Sequence, residues 1–161
     1  MGTVFGLFRS EPFIDGQLGE FRRGHGHWNG AVVLPDRGTF RLSLAGTRRA
    51  PDPFALALAK ELPARFPSVK PDIEHGMFEH YEPYREACNA GEYPGRETCP
   101  DIARPDLVWP HVTPVHVLIE PIGGVLTVEI AFGVAWDEEH TVAALFQDWR
   151  FVGFNGSVRA R

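Results

Sequence analysis

Residues 126–136 read LTVEIAFGVAW and alternate without a break. Leu126, Val128, Ile130, Phe132, Val134 and Trp136 fall on one side; Thr127, Glu129, Ala131, Gly133 and Ala135 fall on the other. An extended chain presents alternate residues to opposite faces, so this is a strand with one buried side. The small residues of the second side predict close approach of a helix or neighbouring backbone. Upstream, Val115, Val117 and Ile119 alternate with His116, Leu118 and Glu120, and Pro121-Ile122-Gly123-Gly124 supplies a turn. Downstream, Asp137-Glu138-Glu139 reads as a connection, after which 140–147 and 149–154 complete a meander.

Working outward to the first third, a hairpin is expected over 30–46. Trp28, Val32 and Leu34 lead into the turn Pro35-Asp36-Arg37-Gly38, and Phe40, Leu42 and Leu44 return from it. Residues 4–8 and 18–21 are weaker strand candidates, interrupted by Pro12 and Gly16. Between the two β regions the period changes. Phe54, Leu58, Leu62 and Phe66 recur every four residues behind Asp52-Pro53, a capping residue followed by proline at the first helical position. Pro63 and Pro67 should limit this helix to two or three turns or kink it. A second stripe, Val69, Ile73, Met77, Tyr81, Tyr84 and Cys88, predicts another helix. Ser68 would cap it, Pro71 would sit in its first turn, and Asn89-Ala90-Gly91 would end it. Pro83 should kink its last turns, with Glu74, Glu79, Glu82 and Glu86 on the solvent side. A polar, turn-rich loop follows over 91–106. The order of hairpin, helices and meander predicts an α+β fold, its mainly antiparallel sheet carrying the central helical segment on one face.

The chain has 161 residues, 43% hydrophobic and 23% charged, which fits a single domain over 1–161. Aromatic residues make up 12%, too many for a disordered chain. No run approaches the roughly 18 apolar residues of a membrane helix, and residues 1–10 lack a secretory pattern, so a cytoplasmic protein without membrane partners is expected. The net charge is −5, and the doublets Arg22-Arg23 and Arg48-Arg49 are too sparse for a nucleic-acid face. An acidic balance instead favours a basic protein partner. Cys88 and Cys99 bracket the loop and are expected as free thiols in a reducing compartment.

Two clusters hold residue types capable of chemistry. Asp137, Glu138, Glu139 and His140 combine carboxylates with an imidazole, the ligands of a divalent metal and the groups of acid–base catalysis. A polar turn fixed by Asp137 is the plainer reading. In Gly24-His25-Gly26-His27, an extended backbone would turn His25 and His27 to one face, and convergence with His140 would make a three-histidine zinc site. Glycine flanks equally describe a flexible loop. His75 and His80 fall near the helical stripe, and His111 and His116 flank a strand start. Asn155-Gly156 reads as a turn before Ser157. No dinucleotide or phosphate loop and no nucleophile elbow is present.

The stretch 135–158, AWDEEHTVAALFQDWRFVGFNGSV, resembles the closing signature of small uncharacterised bacterial proteins of the domain-of-unknown-function class: W-D-x-E-H, then D-W, then G-S. Leu18-Gly19 and Trp28-Asn29-Gly30 are similar to their front end. The resemblance implies no catalytic activity, and some related proteins act as immunity or partner-binding modules in toxin loci. It places Trp136, Asp137, Glu139 and His140 in a recurring element and leaves the Gly24–His27 stretch outside it. The expectation is therefore a non-enzymatic protein-binding module, immunity- or adaptor-like, without a cofactor. One alternative is a metal-dependent hydrolase using His25, His27, Asp137, Glu139 and His140, with zinc or another divalent ion activating water. Another is a structural subunit that pairs into a homodimer through an exposed strand edge.

Overall fold

Local alternation builds a ribbon of hairpins whose connections are as short as two residues. The computed structural model describes residues 10–92 and 99–158. Among these, eight strands lie side by side in sequence order. They are Phe13–Asp15 (β1), Gly19–Gly24 (β2), His27–Leu34 (β3), Gly38–Leu44 (β4), Val112–Ile122 (β5), Val125–Val134 (β6), Asp137–Gln147 (β7) and Arg150–Val158 (β8). Every neighbouring pair is antiparallel except β4 and β5, where Leu42 lies beside Val117 in parallel register. Parallel neighbours need a crossover. Among the described residues a single α-helix, Pro53–Asn89 (α1), lies within it, and the fold is α+β as expected. The candidate strand at 4–8 lies outside the described residues.

The expected pair of helices is one helix of 37 residues that runs through Pro63, Pro67, Pro71 and Pro83. Each proline lacks the amide that would bond the carbonyl four residues earlier. Pro67, Pro71 and Pro83 are exposed, so water reaches their side of the helix. On the other side the apolar stripe is continuous: Ala55, Ala59, Leu62, Phe66, Val69, Ile73, Met77 and Tyr81 are all buried. Tertiary burial therefore overrides the local breakers. Ser68 caps nothing; its hydroxyl donates to the Arg65 carbonyl inside the helix. The expected ends hold. Asp52 accepts from the amides of Phe54 and Ala55, both at 2.9 Å, and Gly91 follows the last turn with φ +73°.

Three further expectations change. Phe54 is 74% exposed, because the buried stripe is phased on Ala55, one residue later. Glu74 is buried rather than solvated, and Trp109 Nε1 donates to its Oε1 at 2.5 Å. The small-residue face of β6 is not the one under the helix. Ala131 opposes Ala143 in register, and both stand outside the cluster that α1 backs. A bulge between Pro114 and His116 also moves Val115 out of that cluster, toward the Gly133 side.

Cys88 and Cys99 are joined in a disulfide, not free. The end of α1 and the incoming chain set their Cα atoms 6.3 Å apart, within bonding range. Nearby, the Tyr81 hydroxyl donates to the Pro100 carbonyl and accepts from the Ile102 amide, which anchors the chain after the bond. The cysteines are 11 positions apart in sequence. Closing so short a loop is worth roughly 2–3 kcal/mol. Reduction, or a double serine variant, is expected to lower the melting temperature by roughly 4–10 °C in a thermal melt.

Candidate functional site

With α1 on one face of the sheet, the other face carries the second residue of each strand pair. On β3 this face presents His27, Asn29, Ala31 and Val33, the last 63% exposed. On β4 it presents Arg41 and Ser43; on β5, His116, Leu118 and Glu120. A cleft of about 510 Å³ opens here, lined by His25, His27, Asn29, Arg41, Ser43 and His116 among others. That volume suits a small ligand or a few side chains.

The hydrogen bonds of the cleft have a fixed direction. Asn29 Nδ2 donates to the carbonyls of Gly24 (3.0 Å) and His27 (3.3 Å), which turns Oδ1 toward β4. Ser43 Oγ donates to that Oδ1 at 2.7 Å. A hydroxyl has one proton, so the 2.8 Å contact between Ser43 Oγ and His116 Nε2 must be a donation from the ring. The Ser43 hydroxyl is therefore not activated by His116, because its proton points the other way. His116 Nδ1 has no hydrogen-bond partner among the described residues. No buried side-chain nitrogen or oxygen lacks one, so Nδ1 is reached by solvent. Beside this relay, His27 Nε2 meets Glu120 Oε2 at 2.6 Å and Nδ1 faces the His25 carbonyl at 3.2 Å.

His25 and His27 do not share an extended segment. His25 (φ +52°) and Gly26 (φ +84°) form the two-residue turn between β2 and β3. His140 lies on β7, four strand positions from β3, or roughly 19 Å in the pairing direction alone. The three histidines do not meet. Among the described residues no group of three or more His, Cys, Asp or Glu could hold a metal ion.

The second cluster also differs from a simple loop. The turn after β6 is Ala135-Trp136, and Asp137 to His140 already belong to β7, bulged out where the register shifts between Gly133 and Val134. Asp137 is 5% exposed. Its carboxylate accepts from the Tyr84 hydroxyl at 2.6 Å and from His140 Nδ1 at 3.1 Å. Burial pushes the carboxyl up, but the Tyr84 bond, His140 and the Glu139 amide outweigh it and hold it below its ordinary value. Glu138 and Glu139 are exposed on the rim of an open depression that also takes in His111. Behind the corner, Trp136 Nε1 donates to His80 Nδ1 at 3.0 Å. Asn155 and Gly156 are strand, not turn, and Gly156 is needed there, since a Cβ would stand 2.6 Å from the His80 ring.

His80 and His116 both hold their protons less readily than an ordinary histidine. For His80 burial is the main cause, partly opposed by Asp137; for His116 burial is reinforced by Arg41 and His27. A group with a lowered folded value contributes stability above its unfolded value, which is lost as pH falls toward the folded one. The melting temperature is thus expected to be flat above about pH 7 and to fall below about 6.5. Asp137 continues the same trend below about pH 4. Melts across pH, with NMR titration of the two rings, check this.

Arg22 and Arg23, with the sequence-distant Arg48, line a groove that shares Gly24 and His25 with the cleft. A family model, Domain of unknown function (DUF6985), matches residues 18–156. The chain belongs to the DUF6985 family. No curated protein and no solved structure matches it. The DUF6985 match takes in β2 to β7, most of β8 and the whole cleft, as well as the Asp137 corner. Among the described residues of this DUF6985 protein no helix is long and apolar enough to cross a membrane. Of the cleft residues, only His25 and His27 stand out in the sequence as candidate ligands. Asn29, Arg41, Ser43 and Glu120 occupy the polar positions of alternating strands, and their chemical types were the available signal.

Proposed function

We propose that this DUF6985 protein is a non-enzymatic binding module, adaptor- or immunity-like, that receives a protein partner on the face of its sheet opposite α1. The observation that carries the reading is that α1 covers one face only, while the other exposes Ala31 and Val33 beside a polar cleft. The relay from His116 through Ser43 to Asn29 supports binding over catalysis, because it fixes the groups and leaves no activated nucleophile. A photo-crosslinking residue at Val33, expressed in the native host, should give a defined heavier adduct identifiable by mass spectrometry. The same residue at Glu79, exposed on α1, should give none. Adducts from Glu79 alone, or from neither position, would overturn the reading; an adduct of twice the chain mass would make the partner a second copy.

A further inference from the structure

The cleft and its neighbouring groove reverse the charge of the protein as a whole. The net charge is −5, yet this region gathers Arg22, Arg23, Arg41 and Arg48 with three histidines. Two of the arginines are engaged: Arg22 with Glu20, and Arg23 with the Thr47 carbonyl. Arg41 has no ion-pair partner among the described residues. It lies directly beside His116 in the parallel register of β4 and β5. Of the carboxylates near the cleft, Glu120 is taken by His27. Glu129 lies one strand further, on β6 beside Leu118.

Resting on the reading of this face as a docking surface, the geometry points to an acidic segment of the partner as its ligand, with one Asp or Glu carboxylate seated between the Arg41 guanidinium and the free ring edge of His116. Arginine offers a planar fork that matches a carboxylate, and neither end of that fork is committed within the described fold. Nδ1 of His116 is the one ring position the relay leaves open, and it becomes a second donor on taking a proton. The adjoining Arg22, Arg23 and Arg48 groove extends the positive surface for further acids along the segment. The groups facing His116 are Arg41 on β4 and His27 on β3, with Ser43 on its other nitrogen. An arriving carboxylate supplies the negative charge that this set lacks, so binding should draw a proton onto His116.

The test is a titration of the whole protein with a capped hexaglutamate peptide, followed by amide shifts in two-dimensional NMR and by calorimetry. Saturable shifts are expected at residues 29, 41–43 and 116–118, with affinity rising as pH falls from 8 to 6. Arg41→Gln should weaken binding about tenfold. His116→Gln should remove the pH dependence of affinity, a readout that a merely structural role would not move. No localised shifts, or shifts that Arg41→Gln leaves unchanged, would overturn the inference. So would equal affinity for free succinate, for inorganic phosphate or for single-stranded oligothymidine at matched ionic strength. If the peptide fails while Val33 still crosslinks a partner, the acidic ligand falls and the docking face stands.

Discussion

Replacing Trp136 with alanine is expected to cost about 3–5 kcal/mol, the range for deleting a buried indole. Trp136 is 1% exposed and sits at the junction of the sheet, α1 and the Asp137 corner. Its ring meets Tyr81 edge-on at 5.4 Å, and its Nε1 donates to His80. Alanine leaves a cavity under Tyr81, whose hydroxyl ties down Pro100 and Ile102, and it strands the acceptor nitrogen of His80. Against a usual stability of about 5–15 kcal/mol, such a loss consumes a large share of the total. Urea denaturation should show the midpoint falling, with Trp136→Phe losing less than half as much because it keeps the ring contact. A loss below about 1 kcal/mol would show that this junction is not the packing centre described.

Gly46→Ala is expected to cost about 2–3 kcal/mol through a different cause. A Cβ at this position would lie 2.5 Å from the Ala50 carbonyl oxygen, 2.7 Å from Pro51 Cα and 2.9 Å from the Asp52 nitrogen. These are backbone atoms, which cannot rotate away as a side chain can. The same short segment carries the bridge between Gly46 and Pro51 and the bond from the Asp52 amide to the Ala45 carbonyl at 2.8 Å. Relieving the clash therefore moves Asp52, the cap that starts α1. Gly16→Ala is the control, since nothing lies within 4 Å of its Cβ position. Equal melting temperatures for the two variants would rule out the close approach at Gly46.

The strand Val125–Val134 was legible because burial on one side of an extended chain imposes a period of two, although the alternation runs on into the turn at Ala135-Trp136. The turns at 35–38 and 121–124 were legible for the chemistry of their proline and glycine residues. The helical region was read less well. Proline rules are local, whereas the stripe from Ala55 to Tyr81 gains its stability from the sheet it lies on. Leu62 and Phe66 are buried as their spacing predicts, and only the start of the stripe was out of phase, where Phe54 outweighs Ala55 in bulk and one residue is about 100° of a helix. The candidate cleft was mostly hidden. Arg41 and His116 are far apart in sequence and become neighbours only through a parallel pairing, which alternation alone does not reveal. Arg22-Arg23 and Arg48 were visible as sparse doublets, but that the antiparallel run of β2, β3 and β4 brings them to one groove was not.

That parallel pair has a kinetic consequence. Each of the other strand contacts joins neighbours along the chain and can form as a local hairpin. The seam between β4 and β5 brings Leu42 beside Val117 and must close a long loop before any contact compensates for it. The molecule assembles, in this view, as two independently nucleated ribbons that are stitched together late, with α1 clamped across the stitch. Asn29, Arg41 and Ser43 arrive on one ribbon and His116 and Glu120 on the other. Neither ribbon alone has a cleft, so binding competence is acquired only at the final step of folding.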